Sequence, residues 1–206
     1  MSHIIQKAIN SCLNGEIAFC KFISANDAGT TGSHQSGFHI PKESYSLLFD
    51  SPGIKGEKKD KNVIIKWQDD IETESRFVYY GQKTRNEYRI TRFGRNFAYR
   101  DDDSVGNLFI LVKNEKYYYE AFVLDNDEDM ETFFSYFGLS PSETNRIIKT
   151  SAYQQSTLDM ENILNRLFDD YINLLHDDFP STIEISGAAR YKKKKIGDEQ
   201  VDIFEN

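Results

Sequence analysis

Between residues 62 and 124, five short segments (62–67, 76–80, 87–93, 107–113 and 117–124) concentrate β-branched and aromatic side chains, and Gly, Asn or Asp separates each from the next. Strands this short and this regularly spaced predict a sheet that curls into a closed or partly closed barrel. A further segment, 17–24, alternates apolar and polar residues and predicts another strand. The expected class is therefore mainly β, with helices at the flanks.

Those helices have their own signals. Ile4, Ile5, Ala8, Ile9 and Leu13 recur at helical spacing, and Asn14-Gly15 stops them. Pro41, with its fixed φ, opens a short helix through Tyr45 and Leu48. Residues 53–61, rich in Gly and Lys, read as a solvated hairpin or linker loop. Residues 127–139 begin with acids and predict a helix, and Ser140-Pro141-Ser142-Glu143 is a capping box that predicts another, reaching about Lys149. Leu158, Ile163, Leu164, Leu167, Phe168, Tyr171, Leu174 and Leu175 form an apolar stripe on the longest expected helix. Pro180 ends it, and Lys192 to Lys195 begin a charged tail. At 206 residues and 39% hydrophobic, the chain can bury one core, so we expect one domain over 1–178 and a linker or tail over 179–206.

The charge is unevenly placed. The chain carries a net −8, yet from Lys83 to Arg100 six basic residues stand against Glu87 alone, which leaves −13 for the rest. A basic strip inside an acidic protein focuses a polyanion on one surface and discourages indiscriminate binding elsewhere. Arg85, Glu87 and Arg89 are two apart, so one strand face carries all three. Arginine can take guanine O6 and N7 bidentately, and a carboxylate can accept from cytosine N4, so this mixture suits base readout in a major groove. A salt-bridge ladder on a solvated face is the competing reading. The loop from Asn26 to Gly37, rich in Gly and short polar side chains, offers a second arm.

Other chemistry finds little support. His34 and His39 lack further ligands at zinc spacing, and neither a P-loop, a nucleophile elbow nor GxGxxG occurs. A magnesium nuclease reading would use Glu57 and Lys59, or Asp101, Asp102 and Asp103; we assign no catalytic residue and no metal ligand. Cys12 and Cys20 fit structural thiols in a reducing compartment. There is neither a signal peptide nor a membrane-length apolar run, which predicts a soluble, cytoplasmic protein that contacts no membrane.

Residues 21–41 (KFISANDAGTTGSHQSGFHIP) and 83–95 (KTRNEYRITRFGR) together resemble the EcoRII N-terminal effector-binding family. The resemblance covers roughly residues 15–150. It implies a B3-like pseudobarrel of about seven strands with two arms that embrace duplex DNA. It further implies the effector domain of a type IIE restriction endonuclease, in a bacterial cytoplasm, with a CCWGG-like target. The catalytic domain of the same polypeptide would require Mg2+ and is missing here, while this domain would need no cofactor. Placed by the resemblance, Lys21, Asn26, Asp27, His34, Gln35 and His39 belong to the N-terminal arm, and Lys83, Arg85, Asn86, Glu87, Tyr88 and Arg89 to the C-terminal arm. Arg92 and Arg95 are then phosphate or framework contacts. The chain departs from the type member at two positions expected to face bases, with His39 in place of tyrosine and Tyr88 in place of lysine. Because the chain starts at Met1, a stand-alone B3-like DNA-binding regulator is an alternative; its charged end suggests instead a truncated endonuclease.

Overall fold

The computed structural model describes residues 2–31, 37–95, 97–148 and 150, within a compact unit spanning Met1–Ser151. The expected long helix over 158–175, the boundary near residue 178 and the lysine-rich tail lie outside the described residues.

Eight strands form one sheet: β1 (Ile17–Phe22), β2 (Phe38–Ile40), β3 (Lys58–Trp67), β4 (Glu72–Tyr80), β5 (Glu87–Thr91), β6 (Leu108–Glu115), β7 (Tyr118–Leu124) and β8 (Arg146–Ile148). Their order is β2-β5-β4-β3-β7-β6-β1-β8. Neighbours run antiparallel except β3 and β7, which are parallel. Helices α1 (His3–Asn14), α2 (Ala25–Ala28), α3 (Tyr45–Leu48) and α4 (Asp127–Tyr136) flank it. The expected mainly β architecture with flanking helices is what the chain adopts.

The sheet is strongly curled, because residues far apart in strand order meet inside it. Phe38 of β2 lies 4.8 Å from Phe109 of β6, ring centre to ring centre, although four strands separate β2 from β6 in the sheet. Alternating side chains of β3, β4 and β5 supply Val63, Ile65, Trp67, Phe77, Tyr79, Tyr88 and Ile90 to the same core, and Phe19, Leu111 and Tyr119 complete it. Two polar groups buried there are satisfied: Trp67 Nε1 donates to Thr73 Oγ1 at 3.0 Å and Tyr119 Oη to the Leu47 carbonyl at 2.9 Å. Cys12 and Cys20 are free and buried, and burial pushes the Cys20 thiol up to about 12.

Two expectations from sequence fail. Residues 58–61 are not loop but the start of β3, paired from Lys58↔Tyr80 to Lys61↔Phe77. None of the four side chains is buried, so hydrophobic pattern could not reveal a segment held by backbone pairing and by polar contacts of Lys59, Asp60 and Lys61 to Ser51, Arg76 and Tyr119. The helix expected from Ser140 to about Lys149 is one 3-10 turn, Pro141–Glu143, followed by β8. The capping box forms, with Glu143 accepting from Ser140 N at 3.0 Å. Asn145 then adopts φ 63°, and the next residues pair with the free edge of β1 through Phe19↔Ile147. Burying Ile148 against the sheet replaces the helix that local capping alone would have started.

The curl brings β1 and β2 together, and one buried ion pair closes the junction. Lys21 Nζ of β1 donates to Asp27 Oδ2 at 2.7 Å and to the His39 carbonyl of β2 at 3.0 Å. Asp27 Oδ1 accepts the His39 N–H at 2.7 Å, while Oδ2 accepts the Ser24 N–H at 3.0 Å and the Ser24 hydroxyl at 2.6 Å. The carboxylate therefore caps α2 and pins the edge of β2 at once. Burial alone would raise the Asp27 carboxyl. The Lys21 ammonium and the hydrogen bonds from Lys21, Ser24 and His39 outweigh it and hold the carboxyl below its usual range.

Asp27→Ala strands the Lys21 ammonium in the interior and should cost about 3–5 kcal/mol in urea unfolding, whereas Lys21→Met with Asp27→Leu should cost less than the two single changes summed. The depressed carboxyl contributes stability above the ordinary carboxylate range that is lost as pH falls through its folded value. Asp27→Asn should accordingly lose less stability than wild type between about pH 6 and about pH 3, and parallel urea titrations at the two pH values would show it.

Candidate nucleic-acid interface

The basic run 83–100 folds as a ribbon in which cationic and aromatic residues sort by side. Tyr88, Ile90 and Phe93 turn inward, and Phe93 sits between Phe38 and Phe97 with ring centres 5.0 and 4.9 Å away. Arg92 and Arg95 remain exposed on the loop that follows β5. Anchoring by the rings fixes where the cations stand.

The β4–β5 connection, residues 81–86, carries Lys83, Arg85 and Asn86, all exposed. Lys83 has φ 54°, and the Arg85 N–H closes a turn on the Gln82 carbonyl at 3.1 Å. Lys55 ties the turn down, its ammonium donating to the Lys83 and Arg85 carbonyls at 2.8 and 2.5 Å. Tyr79 Oη donates to Asn86 Oδ1 at 2.9 Å. The Arg85 guanidinium lies 5.3 Å from the Tyr80 ring centre, over its face, and its side chain is 52% exposed. With Lys58 and Lys83 it borders a concavity of about 330 Å³.

Glu87 stands between the two arginines. One carboxylate oxygen accepts from Arg89 Nη2 at 3.2 Å; the other lies 4.0 Å from Arg85 Nε and has no hydrogen-bond partner among the described residues. Arg89 is 4% exposed, and Nη1 donates to the Gly37 carbonyl at 3.2 Å. Glu87 and Arg89 therefore share the expected face of β5 as an ion pair, while Arg85 lies in the connection before the strand, over Tyr80 and 4.0 Å from Glu87.

The second arm runs from α2 to β2. Gly37, at φ 103°, begins β2; a Cβ there would lie 2.1 Å from the Ile90 carbonyl, so only glycine lets β2 approach β5 this closely. His39 then pairs directly with Arg89 across the two strands. Burial lowers the His39 imidazole below its ordinary value, and Lys21 and Arg89 add to this against Glu87 and Asp27. A neutral imidazole offers one donor and one acceptor. His34 and Gln35 lie outside the described residues.

Between the arms opens a cleft of about 470 Å³ lined by Lys21, Asn26, His39 and Arg89, and on its other side by Thr144 and Asn145. Three residues expected to contact DNA have framework positions instead. Lys21 and Asp27 form the buried pair. Tyr88 is 2% exposed on the inner face of β5, its hydroxyl accepting from Gly53 N at 2.6 Å, because strand alternation sends it opposite to Glu87 and Arg89. Thr144, Asn145, Lys55 and Lys58 were not anticipated. Lys58 reaches the site only through the β3–β4 register, and no local pattern marks the other three.

Two residues of the nuclease reading make structural contacts. Lys59 Nζ donates to Ser51 Oγ at 2.8 Å, and Asp101 caps the turn at Ser104, accepting from its N–H at 3.0 Å. Among the described residues, no three His, Cys, Asp or Glu side chains group as metal ligands, and no helix is long and apolar enough to cross a membrane.

Comparison with known proteins gives the family. The model for "Restriction endonuclease EcoRII, N-terminal" matches residues 12–141. The chain is 35% identical over 101 residues to the type II restriction enzyme EcoRII of Escherichia coli, covering 46% of this chain and a quarter of that enzyme's length. It is also similar to the crystal structure of the UbaLAI restriction endonuclease B3 domain with cognate DNA, at 20% identity and a TM-score of 0.39, covering 65% of this chain and 88% of that one. With well over half of its length matched by the family model, the chain belongs to the EcoRII N-terminal domain family.

Proposed function

We propose that this domain binds double-stranded DNA sequence-specifically, closing two arms on the major groove of a CCWGG-like site. It acts as the effector domain of a type IIE restriction endonuclease. The observation that carries the reading is the convergence of Asn26, His39 and Arg89 in one cleft, with Arg89 linked through Glu87 to the Lys83–Arg85 turn, in a member of this family. Arg85, exposed and held by Tyr80 and the Lys55-braced turn, is the base-reading arginine. Glu87 would accept from a cytosine N4 amine through the oxygen that has no hydrogen-bond partner among the described residues, which is buried 4.0 Å from Arg85 Nε and becomes available only when the Arg85 side chain moves aside. His39, Asn26, Asn86 and Lys83, with His34 and Gln35, complete the contacts. Arg89 orients Glu87 and links the arms, and Arg92 and Arg95 engage phosphates. Cleavage belongs to a separate Mg2+-dependent nuclease domain of the same polypeptide, which the effector site would control.

Fluorescence anisotropy with CCWGG and scrambled duplexes at physiological salt tests the reading, and equal affinity for both would overturn it. Arg85→Ala should lose about 1–3 kcal/mol of discrimination at one base pair. Arg95→Ala should weaken all duplexes alike and reduce the slope of log affinity against log salt by about one.

A further inference from the structure

Asn145 occupies an unusual place. It lies just beyond the stretch matched by the family, after the capping-box turn, at the sheet edge opposite the arms. Its backbone is held in the left-handed region, φ 63°, by an N–H bond to the Cys20 carbonyl at 2.7 Å and by β8 pairing with β1 immediately after it. Cys20 adjoins Lys21, so the anchor that fixes Asn145 is continuous with the junction that fixes the N-terminal arm. The Asn145 side chain is exposed, has no hydrogen-bond partner among the described residues, and lines the cleft facing His39 and Arg89. Thr144 lines it too, but its hydroxyl already donates to the Pro141 carbonyl at 3.0 Å. A residue in a sparsely populated backbone conformation persists when its surroundings over-determine it, a pattern that concentrates at ligand contacts.

We propose that Asn145 is a third DNA contact, its carboxamide Nδ2 donating to a backbone phosphate of the duplex that the two arms hold. The proposal rests on the DNA-binding reading above. A phosphate is the partner because the lining of the cleft includes Lys21 and Arg89 and no carboxylate, their ion-pair partners Asp27 and Glu87 lying outside it, and the carboxamide comes from outside the two arms that carry the base-reading groups. A contact of this kind sets the register of the protein on the duplex without carrying sequence information. It places the DNA against three sides of the cleft: N-terminal arm, C-terminal arm and the β8 edge.

Asn145→Gly is a clean probe, because glycine adopts the same φ without strain and removes only the carboxamide. Its urea midpoint should equal or exceed that of wild type. In anisotropy titrations its affinity should fall about three- to tenfold on CCWGG and scrambled duplexes alike, with an unchanged salt slope, since no counterion-releasing charge is lost. Asn145→Asp, which turns a donor into an anion facing phosphate, should fall further. Affinity of Asn145→Gly within twofold of wild type would overturn the assignment, as would a loss confined to one base pair. If wild type itself shows no preference for CCWGG while Asn145→Gly still weakens both duplexes, the sequence-specific reading fails and the phosphate contact stands.

Discussion

The fold's working surface depends on one buried ion pair. Lys21 and Asp27 lie at the only place where β1 and β2, with five strands between them in sheet order, are joined by side-chain hydrogen bonds among the described residues. A curled sheet with open edges has no ladder to hold those edges together. Here a carboxylate takes four hydrogen bonds and an ammonium gives two across the gap, so the edge of β2 is fixed to the far end of the sheet. Asn26 and His39, the described groups of the N-terminal arm that line the cleft, sit beside that junction. Replacing the pair by apolar side chains need not cost stability, but it would remove the directional bonds to the His39 backbone that set where His39 points.

The C-terminal arm is positioned by a different device. Its cations are interleaved with rings, and the rings are what the core grips. Phe93 and Phe97 join an aromatic assembly reaching Trp67, and Tyr88 packs on Tyr79, so Arg92 and Arg95 are displayed by neighbours that cannot move without unpacking the interior. Arginine and aromatic residues in one run thus do two jobs at a spacing of one or two residues. This also bears on the departure at Tyr88: the residue replacing the type member's lysine is a core side chain here, so its chemistry is packing rather than readout.

The strands of the central sheet were legible because they carry their own pattern. β4, β6 and β7 bury β-branched and aromatic residues, and their segments could be found one by one. The charge focus in 83–100 was legible for the same local reason. What escaped was set by partners distant in sequence. Residues 58–61 are polar and become strand because β4 offers a ladder. Residues 146–148 are too few to show a period and become strand because β1 has a free edge. Glu87 and Arg89 share one face of β5, but Arg85 falls in the connection before the strand, and the burial of Arg89 follows from β2 lying alongside, which no pattern within 85–89 encodes. Lys21 and Asp27 belonged to a resembling motif as candidate contacts, and only the curl reveals them as a buried junction.

The two arms are also joined to each other. β2 and β5 pair through Phe38↔Ile90, His39↔Arg89 and Ile40↔Tyr88, and Arg89 adds a bond to the Gly37 carbonyl. The distance between the roots of the arms is therefore a sheet register, which changes only in whole-residue steps that would turn every side chain of β2 to the wrong face. A grip with fixed spacing spends little binding energy on its own ordering, leaving more of each contact for affinity. On the proposed two-arm reading it would also make discrimination geometric: a duplex whose readable groups fall at another separation could not satisfy both arms, however strongly its phosphates attract the cations. On the proposed reading, specificity would come from rigid placement of a few groups, with the charge focused in 83–100 supplying attraction rather than choice of sequence.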